Sequence, residues 1–218
     1  MTSFPNSPKL IKGGIVEVDA GSSAVLRIIP LQYNPDSVSR TLQVQGVGDN
    51  SQRSEALRLR GPPVETLRIE AEIDATDELE SPGSHRAAAE FGVFPKLAAL
   101  ELLIYPASAT LQRNNSLAGS GTLEIAPMET PLTLFVWSKS RILPVRMTDF
   151  SVTEEAFDAA LNPIRAKVSL GMRVLSIDDL GFSHRGGGIF MSYLQAKEQL
   201  ARKAPSGALG TLGIGALP

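Results

Sequence analysis

Two segments of the 218-residue chain alternate apolar and polar residues with a period of two, which restricts the fold more than any other feature. Successive side chains of a β-strand point to opposite faces, so this period predicts strands with one buried and one wet face. In residues 66–74 the apolar positions are Leu67, Ile69, Ala71 and Ile73; in residues 164–174 they are Ile164, Ala166, Val168, Leu170, Met172 and Val174. The wet face of the second strand carries Arg165, Lys167 and Arg173.

Turn residues divide the rest of the first half into further strands. Residues 13–33 are predicted as a hairpin around Ala20-Gly21-Ser22-Ser23, and Asn34-Pro35-Asp36-Ser37 makes the next turn. Strands are also predicted at 38–45, 132–138 and 142–153, the last despite Pro144. The long glycine-rich stretch 46–63 is predicted as a loop, either a disordered surface excursion or one that orders against a neighbouring subunit.

Helical spacing occurs in the middle of the chain. Residues 85–105 are predicted as a helix that Pro95 divides and Pro106 ends, with Ser81 or Ser84 as the N-cap. Residues 110–130 are predicted as a loop because they combine Asn-Asn-Ser with Gly-Ser-Gly.

The composition changes after Ile177. Gly186-Gly187-Gly188 predicts a flexible joint, followed by a short amphipathic helix at 189–203 with Met191, Leu194 and Leu200 on one side. The chain is therefore divided into a β domain, residues 1–178, and a C-terminal extension, residues 179–218. The extension is interpreted either as a disordered terminus or as a clamp on a partner.

The amino-acid composition excludes several classes of function. The chain has no cysteine, which excludes disulfides, thiolate metal sites and cysteine nucleophiles. Its net charge of −2 leaves no basic excess to neutralise a phosphate backbone, so no nucleic-acid partner is expected. No apolar run approaches the ~20 residues that cross a bilayer, and no signal-peptide pattern is visible. We expect no membrane partner and synthesis in the cytoplasm.

Enzymatic patterns are weak. Asp74, Asp77, Glu78 and Glu80 precede His85 and suggest a metal or acid–base site, but acidic residues before a helix also stabilise its N-terminus. The nearest approach to a nucleophile elbow, residues 181–185, has Arg185 in place of the second glycine. We therefore predict no enzyme, no catalytic, metal-binding or cofactor-binding residues, and no cofactor.

Four segments resemble, in the same order, those of the contractile injection system tube-protein family. They are YNPDSVSR at 33–40, ETLRIEAEIDATD at 65–77, PLTLFVW at 131–137, and residues 150–168 with SVTEEAFD and PIRAKV. They match the family's entry turn, a long strand with its turn, a tryptophan-containing strand and a closing hairpin. The chain departs from the family at Ser138, where glycine is usual, and its tail lacks the pattern of the LysM-like module found in many hub proteins.

The resemblance implies a phage tail-tube-like fold. This is a mainly β fold of two packed antiparallel sheets, as a sandwich or half-barrel, with one flanking helix and a C-terminal helical extension. It further implies a structural subunit that forms a ring, hexameric in this family, at the baseplate hub, connects the spike to the inner tube and initiates tube assembly.

The partners that the resemblance implies are copies of the chain itself, a neighbouring tube or tube-initiator ring, the spike or hub protein, and baseplate components. The assembled particle is expected in the cytoplasm or released. A bulk inner-tube subunit is the alternative within the same machine, and a small metal-dependent hydrolase using residues 74–85 is the alternative from another class.

Overall fold

The computed structural model describes residues 11–19, 21–46, 58–119 and 130–217. Within these ranges seven strands form one antiparallel sheet in the order β2-β1-β5-β6-β7-β4-β3. The strands are β1 Gly14–Val18, β2 Val25–Pro30, β3 Val38–Gln43, β4 Val64–Asp74, β5 Leu132–Ser138, β6 Arg141–Phe157 and β7 Pro163–Val174. The prediction of a mainly β fold is confirmed, and both alternating segments are central strands of the sheet.

Strand β6 joins two halves of this sheet. Its first part pairs with β5 as far as Val145, and its second part pairs with β7 from Val145 onwards. We call β2, β1, β5 and residues 141–145 sheet half A. Sheet half B comprises residues 145–157, β7, β4 and β3.

The expectation of two separate packed sheets is corrected by this shared strand. With 17 residues β6 is long enough to serve both ladders, and a bulge between Met147 and Asp149 lies just beyond the shared residue. Bulges bend a strand and increase its twist, so one sheet can curve around one core. The halves also meet at Gln32, whose side-chain amide donates to the backbone oxygen of Asp74 (2.7 Å) and accepts from its backbone nitrogen (3.1 Å). The arrangement is one seven-stranded antiparallel sheet, in agreement with the predicted mainly β, tail-tube-like fold.

Both halves contribute to a single core. The four apolar positions of β4 are buried, as are those of β7 from Ala166 to Val174. They pack in one cluster with Ile15, Phe135 and Leu143 of sheet half A. Trp137 packs against this cluster with its ring centroid 5.8 Å from that of Phe135, as expected for strand core.

Helices cover the sheet and connect its strands. They are α1 Thr76–Leu79, α2 Arg86–Phe91, α3 Phe94–Glu101, α4 Ser108–Gly119, α5 Ile177–Leu180 and α6 Arg185–Ala201. Pro95 lies in the first turn of α3, where its missing N–H costs nothing, so the predicted division of the helix is confirmed. The N-cap of α2 is His85 and not Ser81 or Ser84. None of the helices in the described ranges is long and apolar enough to cross a bilayer.

The two predicted loops differ in outcome. Of the first, residues 47–57 lie outside the described residues, but its ends are held together by a bridge between Gly46 and Leu59. The second contains α4, so the loop prediction for 110–119 is wrong. Residues 110–118 contain no proline and no glycine, so nothing stops a helix there although Asn114 and Asn115 disfavour one. Residues 120–129 of this second segment lie outside the described residues.

The predicted glycine joint is wrong. Gly186, Gly187 and Gly188 form the first turn of α6, and the first two are buried. A Cβ on Gly187 would overlap the carbonyl oxygen of Gly181, so glycine permits close packing here and does not mark a hinge.

The predicted apolar stripe of this helix is also corrected. The buried side chains are Phe190 and Tyr193, which belong to the common core, whereas Leu200 is exposed. Met191 and Leu194 are half-buried. The larger aromatic side chains, three residues apart, define the inward face. The division of the chain at residue 178 stays a prediction.

Candidate assembly surfaces

The two outer edges of sheet half B are open among the described residues. β3 pairs only with β4, and residues 146–157 of β6 pair only with β7. Neither outer edge receives another backbone hydrogen bond from the described part of the chain. Unpaired strand edges are templates for another strand, so each edge can bind a further chain.

These two edges run in opposite directions. Because β6, β7, β4 and β3 are antiparallel in turn, β6 and β3 point in opposite senses. A second copy placed beside the first by rotation therefore brings its β6 against β3 as an antiparallel pair. Such a heterologous contact leaves one free edge of each kind, and repeating it gives a closed ring or an open filament.

Sheet half A has an open apolar edge of its own. The outer strand β2 pairs only with β1 in the described ranges, and Val25, Leu26 and Ile28 are exposed by 57%, 55% and 65%. Contiguous exposed apolar side chains at an unpaired edge are typical of a contact surface.

The charged face of sheet half B is balanced by ion pairs between neighbouring elements. Arg165 Nε lies 2.8 Å from Asp74 Oδ2, and Lys167 Nζ lies 3.1 Å from Glu155 Oε1. Arg173 Nη2 lies 2.7 Å from Asp179 Oδ1 in α5. The three predicted cations thus lie on one face, each with a carboxylate from the same chain. Exposed pairs of this kind contribute about 0–1 kcal/mol each, so they set the charge pattern more than the stability.

A buried carboxylate fastens α6 and the edge strand β3 to the sheet. Glu65 of β4 is 3% exposed. It accepts from Arg40 Nε of β3 at 2.8 Å and from the Tyr193 hydroxyl at 3.2 Å, and Lys197 Nζ lies 3.3 Å away. The sequence carried a signal for this site, because Glu65 has the same strand parity as Leu67 and must face inward.

The acidic segment before His85 is occupied by structural contacts. Asp74 accepts from Thr76 N at 2.7 Å and from Arg165, and Glu78 binds Lys96 Nζ at 2.7 Å. Partial burial acts to raise the pKa of Asp74, but its bonds to Thr76 and Arg165 outweigh burial, so this pKa lies below its ordinary value. In the ranges that the structure describes, no three His, Asp or Glu side chains are grouped to hold a metal ion.

Comparison with known proteins gives no family assignment. No protein-family model and no curated protein matches the sequence. One solved structure with which the chain has some likeness is the tail of an empty gene transfer agent (GTA) particle with C6 symmetry. The match covers 75% of this chain and 90% of that one, with 13% identity and a TM-score of 0.30. Another is the virion of a native gene transfer agent particle, covering 74% and 90%, with 11% identity and a TM-score of 0.27. Both TM-scores are below 0.5, so this likeness does not establish a shared fold or role.

Proposed function

We propose that the protein is a non-enzymatic structural subunit of a phage-tail-like contractile injection particle. The observation that carries the proposal is the pair of open, oppositely directed edges of sheet half B. Copies can pair six residues of β3 with part of the 146–157 edge while the described sheet stays unchanged. The protein then acts by assembling with itself.

We further assign it to a ring at the baseplate hub, where it connects the spike to the inner tube and initiates tube assembly. This finer role rests on the resemblance of four ordered segments to the tube-protein family, which also implies six copies in the ring. Its other partners are then the neighbouring tube or initiator ring, the spike or hub protein and baseplate components. A bulk tube subunit is the second candidate, but a repeating stack of rings leaves little room for the C-terminal extension, residues 179–218.

The acidic segment supports the non-enzymatic proposal over a hydrolase. Asp74 and Glu78 already bind Arg165 and Lys96, and releasing them for chemistry would break contacts that join β4 to β7 and α1 to α3. We propose that the particle is assembled from protein made in the cytoplasm, and that it functions there or after release.

The proposal is tested by blocking each edge separately. One variant carries Thr41→Lys with Gln43→Lys on β3, and the other carries Ser151→Lys with Thr153→Lys on β6; all four side chains are exposed. Lysines on an edge strand oppose pairing with another strand. We expect the unmodified protein to form closed rings, each variant alone to be monomeric, and a mixture of the two to stop at a dimer. Mass photometry and light scattering measure these sizes.

The dimer is the decisive species, because only a contact between unlike edges produces it. The control carries the same added charge at Gln112→Lys with Ser116→Lys on exposed α4 and should form rings normally. A protein that stays monomeric at every concentration contradicts the proposal. So does either edge variant that still forms rings.

A further inference from the structure

A groove lies between the open strand β2 and helix α3, with β4 as its floor. Its volume is about 570 Å³, within the range of sites that hold apolar ligands. Apolar side chains dominate the lining, among them Ile28, Leu31, Ile73, Pro95 and Leu100. None of the residues of α6 or beyond contributes to it.

Six charged residues line the groove, and four of them, Arg27, Glu72, Glu78 and Lys96, are paired within the described part of the chain, whereas Lys12 and Asp77 are not among these ion pairs. Arg27 Nε lies 3.3 Å from Glu17 Oε2, and Lys96 Nζ lies 2.7 Å from Glu78 Oε1. An anionic or cationic occupant would have to compete with these pairs. The groove therefore favours an uncharged, apolar occupant.

The same chain carries a segment of that chemistry. Residues 204–217, which we call the tail segment, contain no charged side chain, and every residue from 201 to 217 is exposed. Leu212 and Leu217 are 74% and 72% exposed, and Leu209 and Ile214 are 39% exposed. Removing one such side chain from water contributes roughly 1.5–3 kcal/mol, so this segment gains by binding an apolar surface.

The position of α6 directs the tail segment towards the next subunit. Glu65 binds Tyr193 and Lys197 of α6 together with Arg40 of β3, so the C-terminal half of this helix lies near β3, while the helix also packs against β6. The β3 edge is one of the two edges that receive a neighbouring copy in the proposed ring. Fully extended, the 14 residues of the tail segment reach about 45 Å, enough to cross onto an adjacent domain.

We propose that the tail segment of one copy binds in the groove between β2 and α3 of a neighbouring copy. The inference rests on the proposed self-assembly and adds a second contact to it, in sheet half A, independent of the strand edges of half B. The contact links subunits through apolar side chains, among them Leu212 and Ile28, and ties each ring member to its neighbour.

Crosslinking tests the proposal, and the absence of native cysteine makes the introduced thiols unique. A full-length Leu212→Cys protein is mixed with a full-length Ile28→Cys protein and treated with a short bismaleimide. The matched control replaces Ile28→Cys by Val25→Cys, which lies on the same strand at similar exposure but does not line the groove. We expect the yield of crosslinked pairs with Ile28→Cys to exceed that with Val25→Cys by about tenfold, since one site buries the tail and the other does not.

Two results overturn the inference. Equal yields at Ile28→Cys and Val25→Cys mean that the tail meets strand β2 only by chance collision. A double variant, Ile28→Cys with Leu212→Cys, that crosslinks only within single chains means that the groove holds the tail of its own copy. Neither result changes the outcome of the edge experiment on sheet half B. If the edge experiment fails, the crosslink between the tail segment and the groove can still be measured between any two copies that associate.

Discussion

The two halves of the sheet each hold their edge strand through a buried glutamate, but they do so differently. In sheet half A, Glu17 of β1 lies directly opposite Arg27 of β2, with Nε and Oε2 3.3 Å apart. Arg27 also donates to the carbonyl oxygen of Ala99 in α3 at 3.3 Å. The carboxylate itself has this one ion pair, so the strand ladder supplies most of the attachment of β2.

In sheet half B the glutamate is the centre of a network. Glu65 binds Arg40 of the edge strand and, in addition, Tyr193 and Lys197 of α6. Lys197 Nζ also lies 4.3 Å from the centre of the Tyr193 ring. In half B, α6 therefore helps to fix the open edge strand β3 through Glu65. In half A, the contact named between β2 and a helix is the bond from Arg27 to Ala99 of α3.

Removing the glutamate of each half has the largest predicted effect on stability. Glu65→Ala leaves Arg40 and the Tyr193 hydroxyl without their carboxylate, and we expect a loss of about 3 kcal/mol in the free energy of unfolding. Glu17→Ala should cost about 1 kcal/mol, because Arg27 stays partly solvated and keeps its bond to Ala99. Urea unfolding followed by circular dichroism measures both. Equal losses would mean that the network around Glu65 adds nothing beyond a single pair.

Alanine substitutions at two adjacent glycines test how α6 packs on the rest of the protein. A Cβ on Gly187 would overlap the carbonyl oxygen of Gly181, whereas a Cβ on Gly188 meets nothing within 4 Å. We expect Gly187→Ala to destabilise by about 2 kcal/mol through overpacking. Gly188→Ala should stabilise by about 0.5–1 kcal/mol through helix propensity.

Thermal unfolding of these two alanine variants gives opposite shifts of the midpoint if the first turn of α6 is packed as described. Shifts in the same direction would show that the helix is not seated on the 181–182 backbone.

The sequence predicted the strands well and the attachment of the end of the chain poorly. The period of two in β4 and β7 is a local property, so the alternation places Leu67 and Val168 inside without knowledge of their partners. The sharing of β6 between two halves is not local, because it depends on which strands pair with its 17 residues. The family resemblance implied two packed sheets, whereas the described strands form one.

The glycines of α6 also show that a local pattern does not reveal non-local contacts. Three successive glycines favour a hinge by their backbone freedom, and only the closeness of Gly181 shows why a side chain is excluded at Gly187. The Glu65 network could be predicted only in part. Its inward parity can be read from the strand, but Tyr193 lies 128 residues away in the chain, and no local pattern joins them.

The last prediction concerns Asp74, whose backbone bonds to Gln32 where the two halves of the sheet meet. The pKa of Asp74 lies below its ordinary value, so its ionised form stabilises the fold above the unfolded pKa of about 3.9, and this contribution is lost as the pH falls through the lower, folded value. Asp74→Asn keeps an oxygen that accepts from Thr76 but loses the charge that binds Arg165. We expect it to cost about 1 kcal/mol at pH 7 and to flatten the loss of stability below pH 4. Urea midpoints at pH 3 and pH 7 measure this, with Asp149→Asn, whose carboxylate pairs with exposed Arg68, as the control on the same face. An Asp74→Asn protein that loses as much stability on acidification as the unmodified chain would show that the ion pair between Asp74 and Arg165 does not stabilise the fold.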